Sequence, residues 1–126
     1  MQLYKRGSIL YFVFMRNSES NNDRSADMRL RLLKAAASPV RLAILEYLKR
    51  PAEHFPPQVD GDFDVDGVCA DFIRDRLGIA AATASRHLTL LAQAGLLIAT
   101  RKKGWTFYRR DENAIQNFAE RLQSSL

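Results

Sequence analysis

The sequence predicts a mainly α-helical domain of about five helices with one small β-hairpin. Three observations lead there. Between residues 27 and 122 apolar side chains recur at helical spacing in successive segments. Leu97 to Arg101 and Trp105 to Arg109 alternate instead, on either side of Lys103-Gly104. A chain of 126 residues is long enough for one compact domain and no more.

Residues 1–26 read as an N-terminal arm and linker. Lys5-Arg6 followed by the apolar run Ile9 to Met15 is leader-like in outline. The run is short, though, and Arg16-Asn17-Ser18 after it lacks a small-residue cleavage pattern. The alternatives are an upstream start codon, with Met15 or Met28 as the usual start, and an apolar arm packed on a partner chain. Residues 16–25 are Asn, Ser, Arg and acids, which is linker composition. No apolar run approaches the roughly 18 residues a membrane span needs, so a cytoplasmic protein without a membrane partner is expected.

A domain is expected over residues 27–126. Its first helix runs from about Asp27 to Ala37, with Met28, Leu32, Ala35 and Ala36 on one face. Ser38-Pro39 then reads as an N-cap followed by proline at the first helical position. The second helix continues to about Arg50, with Val40, Leu42, Ile44, Leu45 and Leu48 as a broad apolar stripe, and Pro51 stops it. Residues 51–67 hold three prolines and the alternating aspartates Asp60, Asp62, Asp64 and Asp66, and are expected to form an exposed, solvated loop. Asp62, Asp64 and Asp66-Gly67 match the opening of a calcium loop. Its twelfth position, which needs a bidentate Glu, is Ile73.

A third helix is expected from about Val68 to Leu77, burying Cys69, Ile73 and Leu77, with Gly78 making the turn. The fourth spans about Ala81 to Ala94, burying Ala84, Leu88 and Leu91, and Gly95 caps it. The hairpin follows, and a last helix from about Glu112 carries Ile115, Phe118, Ala119 and Leu122.

Charge is distributed unevenly. Residues 1–50 hold ten Lys/Arg against four acids, residues 51–73 none against six, and residues 74–126 nine against four. Such a basic surface suits a polyanion, on a face that excludes the acidic loop. Two helices joined by a short Gly-containing turn and followed by a basic hairpin make a winged helix-turn-helix pattern, which points to double-stranded DNA. Ser85, Arg86 and Thr89 lie opposite the buried side of the fourth helix, and Arg86 can pair bidentately with guanine. Thr83 and His87 are further candidates. On the wing, Arg101, Lys102, Lys103, Arg109 and Arg110 are candidate phosphate contacts. Of Trp105, Phe107 and Tyr108, two are expected to anchor the wing in the core. Ala80-Ala81-Ala82 at the start of the fourth helix offers no side-chain cap, a loss of about 1 kcal/mol.

The segments Ala36-Ala37-Ser38-Pro39-Val40-Arg41-Leu42-Ala43-Ile44-Leu45 and Thr83-Ala84-Ser85-Arg86-His87-Leu88-Thr89-Leu90-Leu91, with Ala94-Gly95-Leu96-Leu97 and Trp105-Thr106-Phe107-Tyr108, resemble the ArsR-type winged-helix transcriptional repressors. The resemblance covers roughly Leu33 to Leu122. It implies a homodimer built on the first and last helices, binding to an inverted-repeat operator, and release by an effector that the sequence does not identify. Metal-sensing members carry Cys-Val-Cys at the start of the third helix, where this chain has Val68-Cys69-Ala70. Residues 112–126 hold no His.

One Cys excludes an internal disulfide and a multi-thiolate zinc site within one chain. No metal or other cofactor is therefore expected. Cys69 reads as a small core residue; the alternative is a metal- or redox-responsive repressor that uses it across the dimer. A winged-helix protein-interaction module is a second alternative. An enzyme is not expected: there is no Gly-rich phosphate loop and no Ser/His/Asp set, and the only two His stand 33 positions apart.

Overall fold

The computed structural model describes residues 24 and 26–126. Nearly all of the arm and linker, including the leader-like stretch, lies outside the described residues. Six helices and three short strands make up the described part. Helix α1 covers 26–36; it is followed by α2 (Pro39–Lys49), α3 (Pro51–His54), β1 (Val68–Cys69), α4 (Ala70–Leu77), α5 (Ala81–Gln93), β2 (Leu97–Lys102), β3 (Trp105–Arg110) and α6 (Glu112–Ser125).

Helix α2 begins as its sequence dictates. Ser38 is extended, its hydroxyl accepts from the Arg41 amide, and Pro39 takes the first turn, where no amide hydrogen bond is lost. Ile44 and Leu48 face the core, but Leu42 is 53% exposed, so the apolar stripe is narrower than expected. Pro51 ends α2, because its ring cannot continue the helix, and then opens the single turn of α3.

Between residues 51 and 77 one expectation is corrected and a second is narrowed. The third helix does not begin at Val68. Val68 and Cys69 pair antiparallel with Tyr108 and Phe107, so the sheet has three strands in the order β1-β3-β2, and α4 starts at Ala70. Two residues are too few to show an alternating pattern, and the partner strand lies some 40 positions away (Val68↔Tyr108). The acidic loop is exposed at Val59, Asp62, Asp64 and Val65, as expected, but it is also built into the fold. Gln58 donates to the carbonyls of Gly61 and Gly67 and accepts from the Cys69 amide at 2.7 Å. The Asp62 carboxylate accepts from the amides of Asp64 and Val65. Phe63 packs against the core, and Asp66 is 6% exposed.

The core lies between the helices and one face of the sheet. Ile44, Val68, Ile73, Leu88, Leu91 and Leu96 are sealed from solvent and Tyr108 nearly so; each such aliphatic contributes about 1.5–3 kcal/mol. Gly78, at φ +66, lets the chain turn between α4 and α5, and its amide bonds the carbonyls of Arg74 and Asp75. Helix α5 buries Ala84, Leu88 and Leu91, as its spacing predicts, and no side chain caps it at Ala80. Asp111 caps α6 by accepting from the Ala114 amide. No residue of α6 is fully buried; Ile115 and Phe118 rest half-covered against the core.

Candidate nucleic-acid interface

Helices α4 and α5 cross at the Gly78 turn, and packing of Leu88 and Leu91 fixes which side of α5 faces out. That side presents Ser85, Arg86 and Thr89, all exposed. Arg86 has no ion-pair partner among the described residues. Thr83 and His87 sit half-buried at its margin.

His87 is tied to a residue that sequence reasoning left unassigned. Nη1 of Arg41 lies 3.0 Å from its Nδ1. A guanidinium only donates, so Nδ1 accepts and the ring proton resides on Nε2. The same Arg41 donates from Nε to Ala35 O at 2.5 Å and from Nη2 to Lys34 O at 3.1 Å. One side chain thus closes the C-terminal end of α1 and reaches α5. Arg41 and His87 are 46 positions apart, so no local pattern announces the contact.

Partial burial holds the His87 imidazole below its ordinary value of 6.5, and the positive charges of Arg41 and Arg86 push it the same way. The folded state therefore binds this proton less readily than the unfolded chain. The stability contributed is complete above pH about 6.5 and is lost as pH falls below it. An NMR titration of His87 should give a midpoint below 6.5 that rises in Arg41→Met. A midpoint unmoved by that change would sink the link.

The wing turns through Lys103 (φ +52) and Gly104 (φ +79), between the paired Lys102 and Trp105. Positive φ at both central residues is the tight turn that matches sheet twist. Asn is the favoured residue at the first of them, and a lysine in the left-handed region costs about 1–2 kcal/mol. Phe107 and Tyr108 are buried and Trp105 is 44% exposed, so two aromatics anchor the wing as expected.

The wing cations divide into two groups. Arg101 is exposed and donates to Thr106 Oγ1. Lys102 Nζ lies 3.2 Å from Asp66 Oδ2, and Lys103 Nζ lies 3.6 Å from Asp60 Oδ1. The acidic loop therefore packs against the wing, not apart from the basic surface as its composition suggested. Arg109 and Arg110 lie at the end of β3 away from the wing tip, and both are partly buried. Arg110 folds back onto Glu112 and Leu45 O with its side chain 12% exposed, and the Arg109 Nε is buried. The Asp66 carboxyl is held below its ordinary value of 3.8 by the Asp62 amide, which outweighs burial, with Lys102 helping. Its ion pair is intact above pH about 4 and lost as pH falls further. Cys69 is 8% exposed.

A reading helix held across a glycine turn by its neighbour, with a two-stranded wing beside it, defines the winged helix-turn-helix class of DNA-binding protein. The chain is 40% identical over 97 residues to the HTH-type transcriptional regulator YbzH of Bacillus subtilis, a match covering 77% of this chain and 97% of the relative. No protein-family model matches. Among solved structures, the homodimeric winged helix-turn-helix DNA-binding domain Mb0332 of Mycobacterium bovis, a possible ArsR-family regulator, is similar at 26% identity and a TM-score of 0.58, covering 82% of each chain. NolR of Sinorhizobium fredii shares the fold at 17% identity and a TM-score of 0.57, over 98% of this chain and 95% of its own. The chain belongs to the ArsR-like winged helix-turn-helix transcriptional regulators, and it is a DNA-binding regulator.

Proposed function

We propose that this regulator is a cytoplasmic homodimeric repressor, with residues 27–126 as its DNA-binding and dimerisation domain and without enzymatic activity. In this reading it binds an inverted-repeat operator and uses no thiolate metal site. The observation that carries it is the exposed Ser85-Arg86-Thr89 face of α5 beside Arg101 on the wing. Arg86 reads a base edge, Ser85 and Thr89 add polar contacts, and Thr83 and His87 meet the backbone. Arg101, Lys102 and Lys103 grip phosphate. The amide end of α5, lacking a side-chain cap, suits a phosphate oxygen.

Dimerisation follows from what α1 and α6 leave uncovered. Met28, Leu30 and Leu33 are exposed on α1, and α6 buries nothing fully. The two helices lie together, Arg29 Nη1 donating to Ser125 Oγ and Arg121 reaching the Met28 sulfur. An apolar surface shared by two adjacent helices suits a second copy of the chain. No helix of the described residues is long and apolar enough to cross a membrane.

Selection of bound sequences from random DNA should recover an inverted repeat. Arg86→Ala should lose about 1–3 kcal/mol of discrimination at one base position per half-site, roughly five- to 150-fold, while retaining nonspecific binding. Selection that recovers no common sequence would refute the operator reading.

A further inference from the structure

Between the acidic loop and the wing lies an open-sided cavity of about 240 Å³. Phe72 from the start of α4 and Trp105 and Phe107 from β3 line it together with Cys69, Asp60 and Asp71. Trp105 and Phe107 are two apart on β3 and so share the sheet face that the loop covers. The lining combines aromatic rings with acidic residues and includes no Lys or Arg. Asp71 has no ion-pair partner among the described residues, whereas Asp60 has only Lys103 at 3.6 Å.

We infer that this cavity is a binding site for a small organic cation bearing an aromatic ring. A cation is attracted to the face of a tryptophan or phenylalanine by the ring quadrupole, more so once partly desolvated. Asp71 and Asp60 add Coulomb attraction, and both would repel an anion. Size agrees, since about 150 Å³ holds a benzene ring and the remaining space takes a substituted ammonium group. The turn at Gln58 and the β1–β3 pairing fix the walls through the chain's own hydrogen bonds, so little ordering opposes binding. A cation at Asp60 competes with Lys103, and occupancy thereby loosens the wing tip from the loop. Calling the ligand an effector rests on the DNA-binding reading; the site itself does not.

Trp105 is the sole tryptophan of the chain, so its fluorescence reports the cavity directly. The full chain, without DNA, is titrated with benzyltrimethylammonium, with its neutral isostere neopentylbenzene, and with phenylacetate. The cation should change the emission saturably and bind at least about tenfold more tightly than the isostere, and phenylacetate should give no response. Asp71→Asn, a surface change checked by circular dichroism, should weaken the cation about fivefold and leave the isostere unaffected. No saturable change, equal affinity for cation and isostere, or full cation affinity in Asp71→Asn would overturn the assignment. Because no DNA is present, failure of the repressor reading cannot produce these results.

Discussion

Gly67→Ala is expected to destabilise the domain by more than about 3 kcal/mol, read as a fall in the urea midpoint and in Tm. Gly67 sits at φ +102, where an L side chain is strained. A methyl group there would also collide with the Tyr108 carbonyl and come within 2.7 Å of the Arg109 amide. Those are backbone atoms of the central strand. They cannot yield without opening the pairing of Val68 and Cys69 with Tyr108 and Phe107. Asp66, one residue before, would lose its place beside Lys102, and the loop would come away from the wing. Gly104→Ala is the control. It has positive φ too, but nothing lies within 4 Å of its added carbon, so the cost should be about 1 kcal/mol. Equal losses in the two variants would mean that backbone strain alone acts at Gly67 and that the close approach to β3 contributes nothing.

Which features could be read from the residues alone follows from the range of the interactions that make them. Ala84, Leu88 and Leu91 are buried because spacing along one helix decides it, and Ser38-Pro39 starts α2 because capping involves only neighbours. The hairpin turn and its two anchoring aromatics were likewise legible. What was missed depends on distant partners. Strand β1 exists because β3 offers an open edge to a two-residue segment with no pattern of its own. Asp66 is buried because Lys102, 36 positions on, can meet it, and composition made the same aspartate look solvated. Leu42 is apolar at a helical position yet exposed, since periodicity gives the width of a stripe only when the packing partner is known. At the candidate interface, the exposed face of α5 was legible; the Arg41 contact that holds His87 was not.

DNA affinity is expected to fall about 10³–10⁵-fold between 50 and 200 mM salt if six to ten phosphates are neutralised per dimer. The slope should nevertheless be shallower than a count of wing cations implies. Each lysine that neutralises a phosphate releases the counterion condensed there, worth about 0.9 in the logarithmic slope. Lys102 and Lys103 already face Asp66 and Asp60. When DNA takes a lysine, its former carboxylate is left free to recruit a cation from solution, and much of the release is cancelled. Asp60→Asn removes that cancellation at Lys103, whose side chain is 68% exposed and whose ion pair is weak in water. The slope should then steepen by about one per protomer, with tighter binding at low salt to operator and random DNA alike. Lys103→Ala should change the slope little in the parent protein and flatten it by about one per protomer in the Asp60→Asn background. If Asp60→Asn leaves the slope unchanged, Lys103 does not exchange a carboxylate for a phosphate. Its strained place at the wing tip would then need another cause.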